Sequence, residues 1–147
     1  MTKQTWTLLA LAVALGVLYA ARFTDLGRKQ NIQINVAIRP FMPNAGPDDV
    51  LPIVFGLDRD RSLTSVKVTP VTELTNAKPK RVWQLVTKKS SEPIRGFTYG
   101  EQIAGMEFVA GVTATKLQPG VPYHLEVEAG RATGQTDFTP QAAIPSN

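Results

Sequence analysis

The periodicity of apolar residues changes once along this chain, near residue 30. That switch restricts the fold more than any other feature. Before it, Gln4 to Ala21 is a run of 18 residues without a charge, QTWTLLALAVALGVLYAA. After it, apolar residues recur at every second position. An uncharged run of this length forms a helix of about 27 Å, close to the ~30 Å of a bilayer's hydrocarbon core. Alternation at period two marks half-buried strands. Past Ala21 the sequence holds no sustained 3.6-residue apolar stripe. The expected architecture is therefore all-β, preceded by one N-terminal transmembrane helix.

The apolar run has the features of an anchor. Trp6 and Tyr19 lie near its two ends, where interfacial aromatics are favoured, and Arg22 follows at once. The helix is expected over about residues 5–22, with residues 1–29 forming anchor and linker. Signal-peptide cleavage after Ala20 would place Leu18 at the −3 position, and cleavage after Ala21 would place Tyr19 there. Neither is small, so the run reads as an uncleaved signal anchor. Charge agrees with this. The chain has 147 residues, 16 Lys+Arg and 12 Asp+Glu, a net +4. Residues 1–29 hold Lys3, Arg22, Arg28 and Lys29 against Asp25, and so carry +3 of that total. The excess flanks the apolar run, which favours the lipid bilayer over nucleic acid as its explanation. Ala12, Gly16 and Ala20 repeat every four residues, and Ala10 and Ala14 make a second pair. Such spacing suits helix packing in a membrane, although Ala is also simply common in membrane helices.

The body, residues 30–140, reads as seven or eight short strands. Ile32, Ile34, Val36 and Ile38 alternate with polar or small residues, and a Pro-rich turn follows over 39–49. Leu51, Ile53, Phe55 and Leu57 form the next strand, which Pro52 directs to an edge or a bulge. Asp58–Arg61 (DRDR) reads as a polar turn. Val66 and Val68, then Trp83 and Leu85, then residues 94–99 and a weak segment over 107–116 continue the pattern. Tyr123, Leu125, Val127 and Ala129 make the cleanest strand, Gly130–Gly134 a turn, and 136–139 a last strand. Residues 141–147 have no strand pattern and read as a tail that frays.

Leu117-Gln118-Pro119-Gly120-Val121-Pro122-Tyr123, followed by Leu125, Val127 and Ala129, resembles the E–F corner and F strand of a fibronectin type III domain. The likeness covers residues 117–138 and implies an immunoglobulin-like antiparallel β-sandwich. It also implies a tyrosine corner built from Leu117, Pro119, Gly120 and Tyr123, with the Tyr123 hydroxyl bonded back to upstream backbone. Trp83 comes later than the early core Trp of that family, and Gly100–Gly105 reads as an insertion. The fold hosts many functions.

Candidate chemistry is sparse. Without cysteine there is no disulfide, thiolate metal site, cysteine nucleophile, iron–sulfur cluster or lipidated N-terminal cysteine. The one histidine, His124, falls mid-strand on the face opposite Tyr123 and Leu125 and reads as a solvated strand residue. Asp58/Asp60 and Glu126/Glu128 have i,i+2 spacing but nothing that would separate their pKa values, as acid–base work needs. Lys78, Lys80 and Arg81, with Lys88 and Lys89, frame one expected strand and suit an edge protected by charge, or an anionic lipid or acidic partner surface. Interleaved aromatics for base stacking are missing. No cofactor is expected, and no enzyme activity. Phe41 and Met42 in one loop, and Tyr99, Ile103 and Met106 in another, are candidate partner contacts, or else plugs for the ends of the sandwich.

The expectation is a non-enzymatic, single-pass membrane protein. It would be an accessory or structural subunit of a larger membrane complex, of the bacterial respiratory or photosynthetic kind. Its β-sandwich would lie in the periplasm and its anchor in the inner membrane, with other subunits meeting the helix and the sandwich loops. Counting flanking cations favours the opposite topology slightly, since Arg22, Arg28 and Lys29 outnumber Lys3. The alternative is a membrane-anchored module that binds a carbohydrate, peptide or cell-wall ligand through Trp83, Tyr99 or Phe41.

Overall fold

A computed structural model describes residues 2–23, 30–40, 42–111 and 113–143. One helix, α1 (Lys3–Phe23), is followed by eight strands among the described residues. They are β1 (Ile34–Ile38), β2 (Ile53–Arg61), β3 (Ser65–Pro70), β4 (Trp83–Val86), β5 (Ile94–Thr98), β6 (Glu107–Phe108), β7 (Tyr123–Ala129) and β8 (Ala132–Phe138). They form two antiparallel sheets, of order β1-β2-β5 and β6-β4-β3-β7-β8.

The alternation seen in the sequence builds the core. Ile53, Phe55 and Leu57 of β2 are buried, as are Val66 and Val68 of β3, Trp83 and Leu85 of β4, and Tyr123, Leu125 and Val127 of β7. The two sheets share this core. Phe55 of β2 meets Phe138 of β8 edge-on at 5.1 Å, and Trp83 of β4 lies 5.9 Å from Phe97 of β5. Offset and edge-to-face aromatic pairs add about 1 kcal/mol each to their burial.

Several boundaries differ from the sequence expectation, each for a local reason. Residues 58–61 continue β2 instead of turning, because backbone pairing persists on both sides: Asp58 N–H donates to Gln33 O (3.1 Å) and Arg61 pairs with Ile94. β2 is also central in its sheet, not at an edge. Pro52 lies just before its first residue, where its carbonyl accepts the Arg39 N–H (2.9 Å), and a register shift between Gly56 and Arg61 supplies the bulge. β6 covers only Glu107–Phe108, since the chain then enters a 3-10 turn with Ala110 at φ 53°. β8 begins at Ala132, four residues earlier than expected. Its third residue is Gly134, which carries no side chain to complete the apolar pattern. The tail does not fray over its described part. Leu51 N–H donates to the Gln141 carbonyl and Ala143 N–H to that of Asp49, and Ala143 is buried.

Candidate functional site

Two features stand apart from the core: α1 and the end of the body that the chain reaches from it. α1 runs 21 residues and is long and apolar enough to cross a membrane. None of its residues is buried, and its large side chains, from Trp6 to Phe23, are 57–75% exposed. Tyr19 and Phe23 stack at 4.8 Å, one turn apart near the C-terminal end. Ala12, Gly16 and Ala20 all lie on this helix, and a Cβ built at Gly16 meets nothing within 4 Å.

The chain joins the body at Gln30. Its carbonyl accepts the Thr133 N–H (2.9 Å), Ile32 N–H donates to Thr133 O (2.8 Å), and Arg59 donates to the Gln30 side chain (3.2 Å). Antiparallel registers then assign the rest of that end. Ile34 pairs with Leu57, Arg61 with Ile94, Ser65 with Val86 and with Glu128, and Ala129 with Ala132. The connections β2–β3, β4–β5 and β7–β8 therefore all turn at the end where Gln30 sits. Between them lies a shallow cleft of about 500 Å³ with Arg59, Arg61, Lys89 and Ser90 in its lining. Two hydrogen bonds from buried Arg61 (3.2 and 2.9 Å) hold the Asp58 carboxyl below its ordinary value.

The remaining expected residues are distributed as follows. Phe41 lies outside the described residues. Met42 is half-buried in the β1–β2 connection. Ile103 and Met106, at 4% and 2% exposure, belong to the core. Of the two readings given for them, surface contact is corrected and plugging of the core agrees with their burial, because apolar side chains gain by leaving water. Tyr99 is half-buried against Trp83 (5.1 Å), and its hydroxyl donates to Thr115 O (2.6 Å). Burial, with a smaller effect from Tyr123, raises that phenol above its ordinary value. Trp83 is buried, so it offers no stacking face to a ligand.

Leu117 and Tyr123 are buried, and the Tyr123 hydroxyl accepts the Gln118 N–H at 3.1 Å, five residues upstream. Gly120 takes φ 77° at this corner, and Pro119 is exposed beside it.

His124 has a partner that the sequence reading missed. Its Nδ1 lies 2.5 Å from Asp137 and its Nε2 3.7 Å from Glu126, on the outer face of the five-stranded sheet. The signal was the turn. β7 and β8 are joined through only Gly130 and Arg131, with Gly130 at φ 62°, which sets His124 opposite Asp137. Reading Gly130–Gly134 as the turn hid that register. Glu128 faces Lys67 at 3.7 Å. Among the described residues, no three His, Asp or Glu side chains come together as a group able to hold a metal ion. Lys78, Lys80 and Arg81 are exposed in the β3–β4 connection, at the end opposite Gln30.

Comparison with protein-family models, with curated proteins and with solved structures finds no match for this chain.

Proposed function

We propose that this chain is a non-enzymatic, single-pass membrane protein that serves as a small accessory subunit of a larger membrane complex. The observation that carries the reading is α1. A helix of 21 residues with no buried side chain exposes apolar surface that water solvates poorly, and a bilayer removes that cost. In this reading the β body lies outside the cytoplasm, in the periplasm of a bacterial cell, and makes protein–protein contacts. The host complex is of the respiratory or photosynthetic kind.

The body is an immunoglobulin-like sandwich of fibronectin type III character. Lettered in chain order, β1-β2-β5 corresponds to A-B-E, and β3-β7-β8 to the C-F-G set of that architecture. β4 lies beside β3, as an added C′ strand does. The bond from Gln118 N–H to the Tyr123 hydroxyl supports the same assignment. The glycan-binding alternative loses support, because Trp83 is in the core and the Tyr99 hydroxyl is committed to backbone.

Two measurements test the proposal. Membranes holding the full chain are washed with alkaline carbonate, and Val13→Arg is compared with the natural sequence. The natural chain is expected to stay in the pellet. The variant, with a charge near mid-span that costs about 3 kcal/mol, is expected to leave it. A natural chain recovered in the wash would overturn the anchor. Native electrophoresis in mild detergent then reads the subunit role, and migration at the chain's own mass with no companion would overturn that part.

A further inference from the structure

We infer that the end of the β body nearest the anchor is a docking surface for the anionic headgroups of the bilayer. This deepens the membrane reading and rests on it. Phe23 and Gln30 are seven residues apart, so their Cα atoms lie within about 25 Å of each other. Gln30 is pinned to β8 and to Arg59. The connections flanking it are therefore the part of the body tethered within that reach of the end of α1.

Those connections are basic. Arg59, Lys88, Lys89 and Arg131 are exposed there. The Asp58–Arg61 pair is internally neutral. The carboxylates at this end are Asp60, Glu92, Glu107 and Glu128, of which Glu128 faces Lys67 at 3.7 Å; Arg95, beside Ile94, is a further exposed cation, and between α1 and Gln30 the sequence adds Arg28 and Lys29 against Asp25. Cations thus outnumber carboxylates around the point where the chain leaves the bilayer. Basic side chains beside an anionic leaflet are attracted within a Debye length, about 8 Å at physiological salt. The far end carries Lys78, Lys80 and Arg81 as well, but these lie about 20 Å farther from Gln30, the length of the six-residue β3. Its cations serve as an internal control.

The full chain is placed in nanodiscs of phosphatidylcholine alone, or with about three parts in ten phosphatidylglycerol. Because the chain has no cysteine, Ser90→Cys gives a single fluorophore at the near end, and Thr75→Cys one at the far end. A quencher attached to lipid headgroups reads proximity. Quenching at position 90 is expected to rise several-fold with anionic lipid and to fall back at high salt, while position 75 stays unchanged. The triple change Lys88→Gln, Lys89→Gln and Arg131→Gln is expected to lower the docked-to-undocked ratio about ten-fold or more. Lys78→Gln, Lys80→Gln and Arg81→Gln should leave it alone. Equal quenching in both lipids, or an equal effect of the two triple changes, overturns the docking surface while leaving the anchor intact. Protection of position 90 only in the presence of another protein overturns it in favour of a protein partner. A chain that does not co-migrate with either nanodisc overturns the anchor and this inference together.

Discussion

At the scale of single residues, Gly134 and Asp58 show how local geometry decides what the pattern leaves open. A Cβ at Gly134 would lie 2.5 Å from the Ile32 carbonyl oxygen and 2.8 Å from its Cβ. That absent side chain lets the segment before β1 close against β8. Gly134→Ala is expected to cost about 2 kcal/mol or more, read by chemical denaturation, because backbone must move to admit the methyl group. Asp58 acts through charge. Its pKa is lower folded than unfolded, chiefly by the Arg61 hydrogen bonds, so its contribution is fully present above the unfolded value of about 3.9 and is lost as pH falls through the folded value. Asp58→Asn should therefore destabilise the body near pH 7. The difference from the natural sequence should shrink as denaturation is measured at successively lower pH below about 4. A constant difference across that range would contradict the assignment.

At the scale of elements, the C-terminal segment pairs with distant backbone in a way that its sequence does not advertise, through an antiparallel bridge between Ala142 and Val50. Residues 140–143 make three backbone hydrogen bonds, two to the β1–β2 connection (Leu51 N–H to Gln141 O and Ala143 N–H to Asp49 O) and one to the corner before β7 (Gly120 N–H to Pro140 O). Asp49 also holds Gly46 N–H (2.7 Å) and Lys116 (2.6 Å), which keep its carboxyl below the ordinary value, the lysine first. This segment therefore closes the end of the body opposite Gln30. Ending the chain after Thr139 removes these bonds and the buried Pro140 and Ala143. We expect a loss of about 3 kcal/mol, seen as a lower denaturation midpoint with the strand signal retained at low denaturant. Over residues 141–143 the expectation of a fraying tail failed because polar and small residues pair by backbone alone, and backbone pairing leaves no periodicity in the sequence.

At the scale of the whole molecule, α1 and the body are separate in their energetics. No α1 residue is buried, while the core cluster draws only on residues from Ile32 onward. α1 thus contributes no buried side chain to the fold. A chain beginning at Gln30 is expected to keep the strand content and denaturation midpoint of the full chain's body, and to lose membrane association. Circular dichroism and flotation with vesicles read the two outcomes separately. A midpoint lowered by more than a few degrees would mean that α1 supports the body.

The sequence by itself determined the class. An uncharged run long enough for a bilayer and a period-two pattern after it announce one apolar helix and a set of strands, because both signals are local and repeat along the chain. Leu117 to Tyr123 likewise announced a corner, as its residues are close in sequence. Sheet membership, the central place of β2, and the choice between contact and plug for Ile103 and Met106 came only from the tertiary structure. So did the His124–Asp137 pair and the end at which Gln30 joins. Each depends on residues far apart in the chain meeting across a register, and a shift of one position in a turn moves every pair that follows. The same register gathers Arg59, Lys88, Lys89 and Arg131 at the end of the body where Gln30 joins, a grouping that their positions in the sequence do not show.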